Sequence, residues 1–356
     1  MIEARIRKQF PPARESASFL LDVQFRCDAG ITVLFGPSGS GKTLTLDAIA
    51  GFYRPDKGRI MLDDRILFDS GAKVNLPPQA RNCGYVFQNY ALFPHMTLRE
   101  NIEFAAHAIP SLERHRKIKE LVEQFQLAEV IGRKPAELSG GQRQRGSIAR
   151  ALIASPRLVL LDEPARGLDA PLRQDLYDIL RRVREEYRTP TLLVTHDIDE
   201  CFALGDDMLV FHEGKIVQEG RPREVLESPA SVDVARLLGL YNILPGEILA
   251  LDPGRKTSRV RVGEYELAGP YFPGHLIGDR VSITIRPEQL RCYPRDGRPG
   301  PNQIPATLQH ATEKLDAVRL QFEGGLSADV SRAGFAEARN NREWVIEFPA
   351  EKLRAI

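Results

Sequence analysis

No apolar run in the 356-residue sequence approaches the roughly 20 residues a helix needs to cross a bilayer, so the chain is expected not to span a membrane by itself. The N-terminal stretch MIEARIRKQF alternates apolar and polar residues and lacks the apolar centre of an export signal. Neither sign of charge is in excess, since 49 Lys and Arg face 48 Asp and Glu. A whole-chain reason to bind nucleic acid is therefore missing, and no nucleic-acid partner is expected. The four cysteines, Cys27, Cys83, Cys201 and Cys292, form no C-x-x-C pair. They give little basis for a disulfide framework or a structural zinc, and read as buried, reduced thiols of a cytoplasmic protein. Low-complexity tracts and solenoid repeats are also lacking. What remains is 42% hydrophobic and 27% charged, as in ordinary globular proteins, with a length that suggests two to three domains.

The first ~235 residues alternate strand and helix signals, the pattern of an α/β domain. Leu21, Val23 and Phe25 alternate with polar residues as in a half-buried strand. The runs Ile31 to Phe35, Leu158 to Leu161 and Thr191 to Thr195 read as buried strands. Residues 98–128 carry helical spacing, and a second long helix is expected from Gly141 through Ala151 to Ala154. MLVFHEGKIVQE, residues 208–219, reads as a hairpin turning at Glu213-Gly214. After Leu240 the texture changes to short strand-like runs: Gly246 to Leu251, Arg259 to Val262, Val281 to Ile285 and Val345 to Phe348. Gly and Pro punctuate them, notably in RDGRPGPNQ at 295–303. The expected division is an α/β domain over 1–240 and a small all-β barrel of the oligomer-binding type over 241–356.

The strongest local signal is Gly36-Pro37-Ser38-Gly39-Ser40-Gly41-Lys42-Thr43, between a strand-like run and the helical LTLDAIAG that begins at Leu44. That is the context a phosphate loop requires. Glycines let successive N–H groups face an anion, and the following helix points its positive end at the same place. Lys42 is expected to reach the β- and γ-phosphates and to stand exposed until nucleotide arrives. The Thr43 hydroxyl is suited to Mg²⁺. The second signal is Leu158 to Leu161 followed by Asp162-Glu163-Pro164, a buried strand with two carboxylates at its C-terminal end. Asp162 is placed for the Mg²⁺ shell, and Glu163 to polarise a water for attack on the γ-phosphate.

A third segment, Leu138-Ser139-Gly140-Gly141-Gln142-Arg143-Gln144-Arg145, stands before a helix and about twenty residues ahead of the Asp-Glu pair. In this order it resembles the signature of the ATP-binding-cassette (ABC) ATPases. Gln88 in YVFQNYALFPHMT matches the Q-loop of that family, His196 in LLVTHDIDE its switch histidine, and Asp169 its D-loop. The resemblance covers residues 36–200 and implies a P-loop ABC ATPase domain with a helical subdomain. It implies ATP and Mg²⁺ as cofactors, with Thr43, Gln88 and Asp162 toward the metal. It also implies a homodimer in which Ser139, Gly140, Gly141 and Gln142 serve the ATP of the second copy.

The chain departs from the family pattern in three places. The D-loop reads Arg166-Gly167-Leu168-Asp169 where Ser-Ala-Leu-Asp is usual, which puts communication between subunits in doubt. The aromatic that stacks on adenine is Phe10 or, alternatively, Phe19, either of which could instead belong to the core. Cys201 replaces a small residue, with no functional consequence expected. Only about a hundred residues separate Lys42 from Ser139, too few for the coiled coil of a DNA-repair ABC ATPase. IRPEQL at 285–290, with GLYNILPGEI before it, resembles the TOBE-type barrel of bacterial importer ATPases. The resemblance then implies membrane permease subunits as partners, docked near Gln88 to Thr97. It further implies a solute-binding protein acting indirectly, and a peripheral place on the cytoplasmic face of the membrane. GITVLFGPSGSGKT and the segments after it most resemble molybdate-import ATPases, while sulfate, ferric-iron, polyamine and sugar importers share much of this text.

Overall fold

The computed structural model describes residues 1–12, 18–295, 299–314, 316–339 and 341–356. Residues 296–298 of the Gly/Pro-rich 295–303 stretch lie outside that set. The chain divides into two compact units, Met1–Ser228 and Pro229–Ile356. The boundary expected at 240/241 falls inside the second unit.

The first unit opens with β1 (Ile2–Phe10) and β2 (Phe19–Cys27), paired antiparallel along their whole length. Every second side chain of β2 from Leu21 to Cys27 is buried, as the period-2 pattern predicts. β3 (Ile31–Phe35) is buried throughout and leads into α1 (Lys42–Ala50). Next come β4 (Lys57–Leu62), β5 (Arg65–Asp69), β6 (Val74–Asn75) and β7 (Cys83–Val86). The helical region holds α2 (Leu98–Ala105), α3 (Ser111–Gln124) and α4 (Gly140–Leu152). β8 (Leu158–Asp162), α5 (Ala170–Tyr187), β9 (Thr191–Thr195), α6 (Ile198–Leu204), β10 (Asp207–His212), β11 (Lys215–Gly220) and α7 (Pro222–Glu227) complete the unit.

Residues 98–128 are thus two helices and not one. Pro110 has no N–H to give and disfavours helical backbone at Ile109, so the chain breaks there and restarts as α3. At the other end Gln126 takes a left-handed φ of 52°, which closes the helix.

Two sheets form among the described residues of this unit. One has the order β2-β1-β4-β5-β6 and is antiparallel. The other has the order β11-β10-β3-β9-β8-β7, parallel from β10 to β7, with β11 added antiparallel by the expected hairpin. Ile6, Leu21 and Phe25 of the first sheet, Leu34, Leu160 and Val194 of the second, and Leu46 and Ile49 of α1 share one core. At the far end of α1 the buried Arg81 guanidinium donates to the Ala48 and Ile49 carbonyls, holding that helix C-terminus in place.

The second unit starts with α8 (Val232–Leu238). β12 (Asn242–Asp252), β13 (Thr257–Val262), β14 (Tyr265–Pro270) and β15 (Arg280–Ile285) follow, then β16 (Arg291–Pro294), β17 (Gln303–Glu313), β18 (Val318–Phe322) and β19 (Ser327–Val330). α9 (Arg332–Ala338), β20 (Glu343–Glu347) and β21 (Arg354–Ala355) end it. The strands make two antiparallel half-barrel sheets, β14-β13-β12-β15-β21 and β16-β20-β17-β18-β19, around one apolar core that includes Ile248, Leu320 and Trp344. Asn242 stitches the sheets together by giving its amide to the Ser327 carbonyl at 2.8 Å and accepting the Ser327 N–H at 2.7 Å. The unit is OB-like and β-rich as expected, with α8 before the strands and α9 among them as helical exceptions.

Candidate nucleotide site

The parallel sheet ends four neighbouring strands at one edge. β3 delivers Gly36 to Thr43, β8 delivers Asp162 and Glu163, β9 delivers His196, and β7 delivers Gln88. Ligands of open α/β sheets bind outside these carboxyl ends.

The phosphate loop curls because Gly39 and Gly41 adopt positive φ, 80° and 104°. A Cβ on Gly41 would press into Leu21 at 2.7 Å, whereas one on Gly39 would meet open space. No side chain caps the N-terminus of α1, so its first N–H groups remain available to an anion. The buried Ser40 hydroxyl oxygen likewise has no partner among the described residues. Pro37 and Ser38 are exposed along the loop, and Leu44 is half-buried beside it.

Lys42 corrects the sequence reading. It is only 5% exposed, and its Nζ donates to the Gly36 and Pro37 carbonyls at 2.7 and 2.8 Å. The loop's own carbonyls are the nearest acceptors, so the ammonium folds back onto them. Burial lowers its pKa, while Glu163 and Asp162 act in the opposite direction.

Thr43 Oγ1 donates to Asp162 Oδ1 at 3.0 Å, bringing together two of the three residues expected at a metal. Burial pushes the Asp162 carboxyl up, against the Thr43 hydrogen bond. The third, Gln88, instead gives its amide to Glu163 Oε2 at 3.2 Å. Glu163 is the hub of the site. Its Oε2 also accepts from Arg166 Nη1 at 3.0 Å, and its Oε1 lies 3.2 Å from His196 Nδ1. Its backbone is left-handed, φ 47°, fixed by the Glu163 N–H bond to the Val194 carbonyl on β9.

The signature residues lie on a different element. Ser139 caps α4: its hydroxyl oxygen accepts the Gln142 N–H at 3.2 Å, and Gln142 Oε1 accepts the Ser139 N–H at 2.9 Å. That arrangement leaves the Ser139 O–H and the Gly140 and Gly141 amides at a helix start. Asp169 caps α5 by accepting the Leu172 N–H at 3.0 Å. Phe10 packs between Phe19, at 6.1 Å, and Tyr53, at 5.8 Å between ring centroids. Both aromatics proposed for adenine thus belong to one cluster, against the core.

Some residues that hold the site carry no local sequence signal. Ser147 and Arg150 of α4 donate to the Tyr90 carbonyl, and Arg150 also to that of Ala91. Both acceptors have left-handed backbone, φ 62° and 47°, so the segment after Gln88 is gripped where it is most contorted. Asn101, fully buried on α2, binds the Phe93 N–H and the Phe93 and Met96 carbonyls. A buried Asn in a helix is the one signal that could have pointed to such a role.

A phosphate loop and an acidic strand end on one edge of a parallel sheet define a nucleotide-binding α/β protein. Comparison with known proteins refines that class. The ABC transporter family matches residues 20–166. The molybdenum import ATP-binding protein ModC of Paramagnetospirillum magneticum is 40% identical over 80% of this chain and 76% of its own length. The molybdate/tungstate import ATP-binding protein WtpC of Pyrococcus horikoshii is 36% identical over 91% of both chains. The spermidine/putrescine import ATP-binding protein PotA of Oleidesulfovibrio alaskensis is 39% identical over 77% of this chain. A solved ATP-binding cassette, dimeric in a post-hydrolysis state with ADP and Pi, aligns with a TM-score of 0.54 and 27% identity over 63% of this chain and 99% of its own. The chain belongs to the ATP-binding proteins of the ABC transporter family.

Proposed function

We propose that this chain is the ATP-hydrolysing subunit of an ABC importer and that the imported solute is molybdate. The observation that carries the hydrolytic reading is the convergence of Gln88, Asp162, Glu163 and His196 beside the phosphate loop. The molybdate reading is supported by relatives whose names carry molybdenum or molybdate and that match along most of the chain. PotA and MalK relatives support a second reading, import of a polyamine or a sugar.

The N–H groups of Gly39 to Thr43 and Lys42 would hold the phosphates of ATP. To do so Lys42 gives up the Gly36 and Pro37 carbonyls. Thr43 and Asp162 supply the hard oxygen donors that suit Mg²⁺, with Gln88 completing the set once it leaves Glu163. When bound, that ion would neutralise phosphate charge. Glu163 would accept a proton from a water as its oxygen bonds to the γ-phosphorus. The bond from that phosphorus to the bridging oxygen breaks, and its electron pair stays on ADP. His196 holds Oε1 of the same carboxylate and orients it.

A second copy would add Ser139, Gly140 and Gly141 to the γ-phosphate from its own α4. Permease subunits would dock by the Gln88 to Thr97 segment. There Phe52, half exposed, stacks on Phe87 at 5.6 Å, and Phe104, more than half exposed, meets Phe93 edge-on at 5.0 Å. No helix among the described residues is long and apolar enough to cross a membrane, so attachment through such permeases is the proposed route to the cytoplasmic face. The second unit is proposed as a TOBE-like regulatory domain.

Glu163→Gln tests the catalytic reading. The amide keeps the shape and loses the base, so kcat is expected to fall by about 10²–10⁴-fold. ATP should still bind, and a dimer should accumulate in size-exclusion chromatography with ATP and Mg²⁺ but not with ADP. Hydrolysis at the wild-type rate would remove Glu163 from the mechanism. With permease and solute-binding protein reconstituted, molybdate and not spermidine or maltose is expected to stimulate ATP hydrolysis; the reverse would select the second reading.

A further inference from the structure

Arg166 departs from the serine of the D-loop pattern noted in the sequence, and its place in the structure is specific. It reaches back three residues to the carboxylate proposed as the base, Nη1 to Oε2 at 3.0 Å. Gln88 donates to the same oxygen. A carboxylate oxygen offers about two acceptor directions, so Oε2 is saturated. Oε1 faces His196, which leaves Glu163 about one free direction for a water.

The clamp is built to let go. The Glu163 side chain is 14% exposed but that of Arg166 is 59% exposed, so the pair is anchored at one end only. The turn that joins them closes with the Arg166 N–H on the Glu163 carbonyl at 3.2 Å. Gly167 follows with φ 73° and nothing near its missing side chain. An exposed guanidinium on such a turn can swing to another acceptor without moving β8 or α5.

We infer that Arg166 is a positioning residue that occupies Oε2 of Glu163 within its own chain and must leave before that oxygen can serve hydrolysis. The inference rests on the reading of Glu163 as the base. Among the described residues no hydrogen bond or ion pair joins Arg166 to the phosphate loop, so it is expected to govern turnover and leave ATP binding alone. A serine at 166 would be too short to make this contact.

The test is steady-state ATP hydrolysis by the full-length chain and four variants: Arg166→Ser, Arg166→Gln, Arg166→Lys and Glu163→Gln. Arg166→Ser and Arg166→Gln are expected to raise basal kcat about fivefold, the worth of one half-exposed ion pair. KM for ATP should stay within about twofold, because the phosphate loop is untouched. Arg166→Lys keeps a cation within reach and should return kcat toward wild type. An exposed position makes misfolding of these variants a small risk, and agreement between Ser and Gln excludes it. A kcat at or below wild type in both neutral variants would overturn the clamp, as would a KM that moves with kcat. Wild-type hydrolysis by Glu163→Gln would instead defeat the reading of the base on which the clamp depends. Inactive Glu163→Gln with unchanged Arg166→Ser would defeat the clamp alone.

Discussion

Glu200 is the residue whose environment is least comfortable with its chemistry. It sits on α6, only 3% exposed, and its Oε1 finds no partner among the described residues. Burial pushes its pKa up from 4.5 to about 7, Asp197 and Glu163 add to the shift, and the Thr195 hydrogen bond and Arg173 oppose it. An acid whose pKa is raised by folding contributes stability that is fully present below its unfolded value. That stability is lost as pH rises through the folded value, here between about 4.5 and 7. The full loss is on the order of 3 kcal/mol. Glu200→Gln mimics the protonated form and should remove it. Thermal melts are expected to show the variant closest to wild type at about pH 4, below the unfolded value, and several degrees above it at pH 8. A gap independent of pH would mean that Glu200 is not the titrating group. Lys42 is the contrasting case: its ammonium is also buried, but the bonds to two carbonyls offset part of the desolvation cost.

At the scale of elements, the hairpin of β10 and β11 does more than extend the sheet. Its two-residue turn has left-handed backbone at both Glu213 and Gly214, φ 47° and 78°. Gly214 donates its N–H to the Ser40 carbonyl of the phosphate loop and accepts the Asp22 N–H from β2. A Cβ there would stand 2.0 Å from the Leu20 carbonyl oxygen. Gly214→Ala must therefore push the turn off β2 and loosen its hold on Ser40. A cost of about 1–3 kcal/mol in stability is expected, together with a higher KM for ATP. A lower melting temperature with an unchanged KM would show that the turn supports the sheet and not the loop. α4 has a comparable double duty: it presents the Ser139 to Gly141 end and, about two to three turns on, grips Tyr90 and Ala91 beside the proposed permease dock.

For the whole molecule, every residue assigned to nucleotide in one chain lies in Met1–Ser228. The second unit, Pro229–Ile356, has its own core around Ile248, Leu320 and Trp344. A chain ending at Ser228 is expected to fold and to bind ATP with the affinity of the full protein. Calorimetry of the full chain should resolve two transitions, of which ATP raises only the one retained in the truncated chain. A folded 1–228 chain without ATP binding would show that the second unit is needed to complete the site.

Segments whose signal is local can be read along the chain without the fold. The phosphate loop is legible because a strand, a glycine-rich turn and a helix N-terminus follow one another directly, and the buried strand before Asp162 is legible from its apolar run. The hairpin at Glu213-Gly214 and the change of texture near the second unit were legible for the same reason. The split of residues 98–128 into α2 and α3 was written in Pro110, although the apolar period continues past it. Which side chains meet at Glu163 follows from the strand order of the folded sheet. Gln88 and His196 lie 75 and 33 residues away in sequence, and they converge because β7, β8 and β9 are neighbours in the sheet. Strand order has no local period to read. Arg166 is only three residues from Glu163, and the sequence showed it only as a departure from the D-loop pattern of the family. The left-handed turn at Glu163 brings the Arg166 guanidinium onto the carboxylate of its own chain, a contact that needs both that backbone geometry and a long cationic side chain.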